Sequence, residues 1–443
     1  MKTKERIRKK GLKLEVQEVS WMFYDWANSV YATNIMAAIF PIYFAAVAKN
    51  AGQSGDQLWG YGTSLATLIV AVLAPLLGAV ADFRGMKKKL LAVFIFLGAS
   101  FTLLMAVTDN WKLMLVGYVV SYIGFTGANL FYDSFLTDVT TKERMDAVSS
   151  GGFALGYIGG STIAFIISII FMMFFGMDNP IGVKIAVVIT ALWWAGFSIP
   201  ILLNVKQKHY VLVDKKGYIK SAFSNIAHTF RSLIKNRALL IFILAYFFYI
   251  DGVNTVIHMA TVYGSTIGLN TTLMIVALLV TQIVAVPCTL LFSLFAKKVG
   301  SLRMIFAAVI MYVFICVVGF YMGYSIESVP ESSADYASAL HRSQVLFFTM
   351  AFLVGTVQGG IQALSRSYFG KMIPPERSNE YYGFFDIFGK FAAVLGPFLY
   401  AFVSSKTGSS ASGIAGVSIL FMVALGILYF GRKCLKEAPG NFL

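Results

Sequence analysis

The sequence predicts an all-α membrane protein with twelve transmembrane helices in two six-helix halves. Of its 443 residues, 58% are hydrophobic and only 13% are charged, whereas a soluble domain carries about 25% charged residues. The apolar residues form runs of about 20, the helix length that crosses a hydrocarbon core of roughly 30 Å. A long basic segment separates two sets of runs, and related motifs recur in both sets.

The apolar runs follow one another along the chain and are separated by short polar segments. In the first half, the predicted spans cover residues 17–47, 58–82, 88–108, 111–138, 147–176 and 181–204. In the second half, they cover residues 238–262, 271–296, 301–324, 344–369, 381–404 and 410–431. The predicted organisation is a basic N-terminus (1–16), a six-helix bundle (17–204), a basic linker (205–237), a second six-helix bundle (238–431) and a tail (432–443).

The basic residues predict the orientation of the chain in the membrane. Most of the 36 Lys and Arg residues lie in alternate polar segments, beginning with residues 1–13 and including the linker 205–237. Because basic loops remain on the cytoplasmic side, we expect a multi-pass protein of the cell membrane with both termini in the cytoplasm. The same clustering accounts for the net charge of +15 without nucleic-acid binding. The expected partners are the lipid bilayer and a small-molecule substrate, and the expected oligomeric state is a monomer.

The two halves are related by an internal repeat. Residues 25–29 (Asp-Trp-Ala-Asn-Ser) match residues 251–255 (Asp-Gly-Val-Asn-Thr). Residues 127–134 match residues 360–367, and at the same offset of 233 Gly156 falls on Gly389. Because each half has an even number of spans, the repeats share one orientation in the membrane. Parallel six-helix repeats are the architecture of the major facilitator transporters.

The loop between the second and third spans carries a second signature. Residues 78–88 read Gly-Ala-Val-Ala-Asp-Phe-Arg-Gly-Met-Lys-Lys. A tight turn with one arginine and three lysines cannot lie in hydrocarbon, so we expect a water-facing loop. The pattern resembles the cytoplasmic loop signature of the major facilitator superfamily, in which the loop aspartate acts as a conformational latch. The resemblance implies a gate role for Gly78, Asp82, Arg84 and Gly85.

Two aspartates inside the spans are candidates for substrate or proton binding, since ionisable groups in a membrane are costly. Asp25 and Asp251 occupy equivalent repeat positions, and Asn28 and Asn254 follow them on the same helical face. In the major facilitator fold helices 1 and 7 line the central cavity, so the resemblance implies a polar face around a substrate. Each carboxylate could carry a coupling proton or recognise a cationic group. Alternatively, each could be paired within the gate or cap a local backbone kink.

A lysine and two amides complete the set of residues that could bind the substrate. Lys390 in the eleventh span requires an anion, which could be a substrate carboxylate or a protein carboxylate such as Asp386 one turn earlier. Asn129 and Gln362 are paired by the repeat, and an amide that faces lipid is costly. We therefore expect both amides to face the protein interior.

The repeat also exchanges the sign of two charges. Asp82 in the first half corresponds to Lys297 in the second, and Asp133 corresponds to Arg366. Our hypothesis is that Asp82 contacts Arg366 or the N-terminus of the eleventh helix, and that Asp133 contacts Lys297. Such contacts would be gate elements that break when the inside opens.

The fifth span is rich in glycine. It contains Gly151, Gly152, Gly156, Gly159 and Gly160. Small residues allow close packing and bending of membrane helices. We expect this span to approach a neighbouring helix closely.

The sequence contains no phosphate-binding loop, nucleophile elbow or metal-ligand spacing. The cysteines Cys288, Cys316 and Cys434 are scattered and form no disulfide framework. We therefore expect neither an enzyme nor a bound metal or cofactor.

Two further stretches narrow the resemblance to one family. They are residues 21–31 (Trp-Met-Phe-Tyr-Asp-Trp-Ala-Asn-Ser-Val-Tyr), and residues 359–367 (Gly-Gly-Ile-Gln-Ala-Leu-Ser-Arg-Ser) followed by Gly389-Lys390 and Gly396-Pro397. Together they resemble the bacterial relatives of the autophagy-related vacuolar amino-acid effluxers. For the fungal members, the resemblance implies export of neutral amino acids such as leucine.

The sequence thus predicts a secondary active transporter that works by alternating access. The expected substrate is a small polar solute, with amino acids as the leading class and proton coupling through Asp25 or Asp251. Two alternatives remain open at this point. One is a flippase or exporter of lipids or hydrophobic compounds with the same fold, and the other is a membrane receptor or assembly factor that transports nothing.

Overall fold

The computed structural model describes residues 14–176, 179–212, 229–391 and 395–436. The side chains of Lys390 and Phe391 lie outside this description, and so does the basic N-terminal segment 1–13. Within the described ranges the regular structure is helical, apart from one isolated parallel β-bridge between Phe83 and Val211.

In the first half of the chain, the described residues fold into ten helices joined by short segments. They are α1 (Val16–Val30), α2 (Phe40–Asn50), α3 (Gly55–Ala81), α4 (Met86–Val107), α5 (Trp111–Ser134), α6 (Leu136–Val139), α7 (Met145–Ile158), α8 (Phe165–Phe175), α9 (Pro180–Phe197) and α10 (Ile199–Asn204). Two wider π-helical segments interrupt this pattern, Tyr31–Ala38 between α1 and α2 and Gly159–Ala164 between α7 and α8.

The second half contains longer helices. They are α11 (Arg237–Thr266), α12 (Thr271–Val299), α13 (Ser301–Glu327), α14 (Tyr336–Met372), α15 (Ser378–Phe391), α16 (Leu395–Thr407) and α17 (Ser410–Lys436). A short 3₁₀ turn at Pro375–Arg377 precedes α15.

These helices confirm the predicted all-α fold of twelve spans. In the described part of the chain, ten helices are long and apolar enough to cross a membrane, and the bent pair Val16–Ala38 and Phe40–Asn50 brings the number to eleven. The remaining predicted span, 381–404, contains α15 and α16, which flank residues 392–394 outside the description. One end differs clearly from prediction, because α14 begins at Tyr336 instead of residue 344. Its first turns are polar, and hydropathy detects only the membrane-length part of a helix.

The chain divides into two compact units. The first unit comprises Met1–Val70, Val80–Leu212 and Pro375–Asn379. The second comprises Ala71–Ala79, Val213–Pro374 and Glu380–Leu443. The first unit therefore includes the signature loop after α3 together with the first residues of α15.

In the first unit, the glycine-rich fifth span packs against α1. A Cβ added to Gly152 would lie 2.4 Å from Asp25 Oδ2, and one added to Gly160 would lie 2.4 Å from the backbone nitrogen of Val30. Real Cβ atoms do not approach other atoms this closely, so glycine is required at both positions. The close approach expected from the sequence is confirmed.

Replacing Gly160 by alanine is expected to destabilise the protein by about 1–3 kcal/mol, the usual cost of overpacking a close contact. The added methyl group meets backbone atoms of Val30 and Ser29, which cannot rotate away. Gly196 in α9 is a matched control, because a Cβ there meets nothing within 4 Å. Thermal unfolding of Gly160→Ala and Gly196→Ala in the same detergent measures the difference, and equal stability of the two variants would contradict the packing argument.

Candidate functional site

In the first unit, the Asp25 carboxylate lies in a cluster of aromatic side chains. Tyr132 donates its hydroxyl to Asp25 Oδ2 at 2.7 Å. Trp21 fixes Tyr132, since its Nε1 donates to the Tyr132 carbonyl at 2.7 Å and the two rings stack 4.4 Å apart. Asp25 is buried, with 8% of its surface exposed. This carboxylate is therefore held in place by neighbouring protein groups.

Two amides that the sequence predicts separately as substrate candidates, Asn28 and Asn129, are in direct contact. Asn28 Nδ2 donates to Asn129 Oδ1 at 2.5 Å, which connects α1 to α5. Asn28 is buried and Asn129 is half-buried. The structure thus brings Asn28 and Asn129, predicted separately, into one polar contact.

The π-helical segment that follows α1 contains another buried amide, Asn34. Its Nδ2 donates to Ser168 Oγ and to Thr190 Oγ1, both at 2.9 Å. Its Oδ1 has no hydrogen-bond partner in the described structure. The buried Asn34 and its hydrogen bonds make this segment part of the polar interior of the unit, and π turns are frequent at functional sites.

In the second unit, Asp251 lies midway along α11 and is completely buried. Its Oδ1 accepts a hydrogen bond from the backbone N–H of Gly396 at 3.0 Å. Its Oδ2 is buried without a hydrogen-bond partner in the described structure. Thr255 donates its hydroxyl to the Asp251 carbonyl at 2.7 Å. Asp251 thus has one carboxylate oxygen without a hydrogen-bond partner among the described residues.

The other predicted substrate residues of the second unit are less defined. Asn254 and Gln362 are half-buried. Gln362 Nε2 donates to the Gln358 carbonyl one turn earlier, at 3.3 Å. The side chain of Lys390 lies outside the described structure, so its predicted anion contact stays a prediction.

The signature loop is held by the segment that follows α10. Gly85 adopts a left-handed conformation with φ of 74°, which favours glycine. Its N–H donates to Gln207 Oε1 at 2.9 Å, and Gln207 Nε2 donates to the carbonyls of Ala81 and Phe83 at 3.1 and 3.3 Å. Arg84 is exposed and its guanidinium lies 5.5 Å from the centre of the Tyr210 ring. Arg84 and Gly85 therefore form the exposed tip of the loop.

Asp82 lies beneath this tip and is buried, with 2% exposure. Its Oδ1 accepts hydrogen bonds from the backbone N–H and the Nδ2 of Asn379, at 3.0 and 2.7 Å. Asn379 is the second residue of α15, and Ser134 donates its hydroxyl to Asn379 Oδ1. A carboxylate at a helix N-terminus is stabilised by the helix dipole. The predicted contact of Asp82 with the N-terminus of the eleventh helix is present, and its latch role stays a prediction.

The loop also contains a buried lysine, and here the expected water-facing position is wrong. Lys87 is completely buried, and its Nζ lies 2.7 Å from Asp138 Oδ2 and 3.0 Å from Ser378 Oγ. Asp138 Oδ1 accepts hydrogen bonds from the backbone N–H groups of Lys208 and His209, at 2.9 and 2.8 Å. Lys87 points inward because it lies on the first turn of α4, where its partner is within reach.

A second buried carboxylate that sequence reasoning missed is Glu18 on α1. Its Oε2 lies 2.6 Å from Arg144 Nη2, and its Oε1 accepts the Thr140 hydroxyl at 2.6 Å. Glu18 is 1% exposed. The sequence signal for Asp138 and Glu18 was present, since both are acidic residues at the ends of apolar runs with no assigned partner.

The remaining gate candidates occupy varied environments. Gly78 is buried, Asp133 is half-buried and Lys297 is exposed. Arg366 is 5% exposed, and its carbonyl accepts the Tyr382 hydroxyl at 2.9 Å. The hypothetical pairs Asp82–Arg366 and Asp133–Lys297 join residues of different units and stay predictions.

Neutralising Asp82 is expected to increase the cytoplasmic accessibility of the gate. Asp82→Asn removes the charge that holds the first turn of α15, so the equilibrium between states should shift towards the open one. The measurement is the labelling rate of a single cysteine introduced near the inner ends of the spans, in a background without native cysteines. Asn379→Ala, which removes the same contact from the other side, should increase the rate similarly. Unchanged labelling in both variants would refute the latch.

Comparison with known proteins agrees with this architecture. A family model described as "Vacuole effluxer Atg22 like" matches residues 58–433. An "Uncharacterized MFS-type transporter YxiO" of Bacillus subtilis (strain 168) is 41% identical over 424 residues, which cover 94% of each chain. "Autophagy-related protein 22" of Eremothecium gossypii is 20% identical over 448 residues, covering 87% of this chain and 85% of the relative.

Solved structures show the same fold at low sequence identity. A bacterial homologue of the iron transporter ferroportin, crystallised in an outward-facing state, has a TM-score of 0.70 and 11% identity, and the match covers 95% of this chain and 100% of that one. The proton:xylose symporter XylE has a TM-score of 0.66 and 13% identity, over 97% and 96% of the two chains. These likenesses establish the major facilitator fold. The chain belongs to the Atg22-like family of major facilitator transporters.

Proposed function

We propose that this membrane transporter carries small zwitterionic solutes, foremost amino acids, by alternating access coupled to protons. The observation that carries the proposal is the completely buried Asp251 with one oxygen unpartnered. A buried carboxylate is costly unless it is protonated or paired with a cation. A proton or the ammonium group of a substrate meets that requirement, and either one can arrive and leave during a transport cycle.

Asp251 is a stronger candidate for this role than Asp25. Tyr132 already donates a hydrogen bond to Asp25 Oδ2 at 2.7 Å, and the Gly152 backbone packs against the same oxygen. Asp25 is therefore a positioning residue for the polar interior of the first unit in this proposal. The neighbouring pair Asn28–Asn129 supplies neutral polar contacts, which suit a solute without net charge.

The family supports the substrate class and the location. The resemblance to the autophagy-related effluxers implies neutral amino acids, which are zwitterions at neutral pH. The bacterial relative YxiO favours the cell membrane, and the basic residues 1–13 favour a cytoplasmic N-terminus. The relatives are transporters, which points to a non-enzymatic role for this chain.

A ligand screen of the purified protein tests the proposal. Amino acids, peptides, sugars, nucleosides and lipids are compared by thermal unfolding of the wild type, Asp251→Asn and Lys390→Ala. A ligand that binds only the folded state at 100 times its Kd stabilises it by about 2.7 kcal/mol. We expect an amino acid to stabilise the wild type and to lose this effect in Asp251→Asn.

Asp335→Asn is the matched control, because Asp335 is an exposed aspartate in the turn before α14. It should respond to ligands as the wild type does. Stabilisation by lipids or amphiphiles alone would contradict the proposal and favour a flippase. If an amino acid stabilises Lys390→Ala as well as the wild type, the substrate carboxylate is bound by another group.

A further inference from the structure

Lys88 lies on the first turn of α4, at the end of a membrane span. Its Nζ donates to the carbonyl of Leu203, near the end of α10, at 3.4 Å, which is a long and weak hydrogen bond. The ends of the spans Met86–Val107 and Pro180–Asn204 therefore lie side by side. Lys88 is half-buried, and no ion pair of its ammonium group is found among the described residues.

A second lysine, Lys206, lies close to Lys88. It is exposed and follows the end of α10 by two residues. The two ammonium groups are near enough to repel each other, and within the described ranges Lys206 forms no ion pair either. Asp138, a carboxylate held by the backbone of the same segment, is already paired with Lys87. Two neighbouring cations with no counter-ion in the described structure attract an anion.

The helices that end at these lysines face lipid along part of their length. Large apolar side chains on them are more than half exposed, among them Val93, Phe96, Leu192, Ile199 and Leu203. The helix α4 packs against α9, because a Cβ added to Gly98 would lie 2.1 Å from the Trp194 ring. Exposed apolar side chains of a membrane span contact lipid tails. The two lysines therefore lie where a lipid-covered helix pair reaches the headgroups.

The segment that carries Lys206 also holds the signature loop. Gln207, the next residue, accepts the N–H of Gly85 at 2.9 Å and donates to the carbonyl of Phe83 at 3.3 Å. An anion bound to Lys88 and Lys206 together offsets the repulsion between α4 and this segment. It therefore stabilises the attachment of the segment to the loop.

We propose that Lys88 and Lys206 bind the phosphate of an anionic phospholipid, whose acyl chains cover the exposed apolar side chains of α4 and α9. Basic pockets between membrane helices are suited to such headgroups. The lipid lies in the leaflet on the side of the signature loop, which the basic residues predict to be the cytoplasmic one. A free phosphate carries the same charge but has no acyl chains, so it binds more weakly. The site is separate from Asp25 and Asp251 and does not depend on the transported solute.

The test titrates the full-length protein in neutral detergent and measures bound lipid by native mass spectrometry. The probes are phosphatidylglycerol and the neutral phosphatidylcholine, with inorganic phosphate as a competitor. We expect the wild type to prefer phosphatidylglycerol, and an equal concentration of inorganic phosphate should not displace it. Lys88→Gln combined with Lys206→Gln should bind phosphatidylglycerol at least tenfold more weakly, because each basic residue near an anionic headgroup contributes roughly fivefold. Phosphatidylglycerol should also raise the thermal unfolding temperature of the wild type more than that of this variant.

Lys298→Gln combined with Lys433→Gln is the matched control, because it removes two exposed lysines near the ends of α12 and α17. It should bind phosphatidylglycerol as the wild type does, and so should Lys88→Arg combined with Lys206→Arg, which retains both charges. Lys206→Gln alone covers the case in which the double glutamine variant does not fold, and it should lose roughly fivefold in affinity. An equal loss in the control would show that net charge alone attracts the lipid and would overturn the inference. Displacement of the lipid by equimolar inorganic phosphate would overturn it as well.

Discussion

Lys87→Met is expected to destabilise the protein by about 3–5 kcal/mol, the cost of leaving a buried charge without its partner. Lys87 and Asp138 are both completely buried, with Nζ and Oδ2 2.7 Å apart. Methionine matches the length of the lysine stem but supplies no charge, so the Asp138 carboxylate loses its counter-ion. The unfolding free energy of the variant in mixed micelles, measured by SDS titration, reports the loss.

Two further variants separate the ion pair from other effects of the substitution. Lys89 is an exposed neighbour on the same helix, so Lys89→Met should change stability by less than about 0.5 kcal/mol. Lys87→Met combined with Asp138→Asn should regain at least half of the loss, because the amide oxygen still accepts from Lys208 and His209 while the unpaired charge is gone. If Lys87→Met alone is as stable as the wild type, another group neutralises the Asp138 carboxylate.

Asp251→Asn is expected to weaken the apparent affinity for the transported amino acid at least 30-fold. Removing one partner of a buried charge contact costs roughly 2–5 kcal/mol of binding, and about 1.4 kcal/mol corresponds to tenfold. The same substitution removes the titrating group, so the residual flux should no longer respond to a pH gradient. The fold should persist, since asparagine can still accept the Gly396 N–H.

Flux in proteoliposomes, with and without an imposed pH gradient, measures both effects. Asp335→Asn, at an exposed position, is the control and should transport as the wild type does. Wild-type affinity together with an intact pH response in Asp251→Asn would remove Asp251 from the mechanism. Asp25 would then be the remaining carboxylate candidate for proton coupling.

The fold was predictable because it depends on sums over many residues. The thickness of the membrane determines the length of the apolar runs, and its two sides determine the alternation of basic loops. Neither feature depends on a single contact. The predicted ends are accurate within a few residues except at α14, whose polar first turns carry no hydropathy signal. The bend in the first span could not be predicted, because π-helical turns such as Tyr31–Ala38 have no simple sequence pattern.

The site was predictable only in part, because pairing depends on positions far apart in the chain. The repeat identified Asp25, Asp251, Asn28 and Asn129 as residues of the interior, but it assigned Asp25 and Asp251 the same role. The structure separates them, since the Tyr132 hydroxyl donates to Asp25 while the backbone N–H of Gly396 donates to Asp251. Neither partner belongs to the repeat motif around the aspartates.

The buried pair Lys87–Asp138 shows the limit of charge patterning. A run of three lysines after a glycine turn is typical of a solvated loop, and two of them behave as expected. The first is drawn inward because the end of α5 and the segment after α10 surround Asp138. Such a contact joins residues 51 positions apart, which is beyond what a local pattern can indicate.

The most direct test of the account is leucine flux in proteoliposomes that contain only the purified wild-type protein. We expect uptake or release of radiolabelled leucine that rises when a pH gradient is imposed and that other neutral amino acids inhibit by competition. Protein-free liposomes give the background. Movement of a labelled lipid between leaflets, with no leucine flux above that background, would contradict the account.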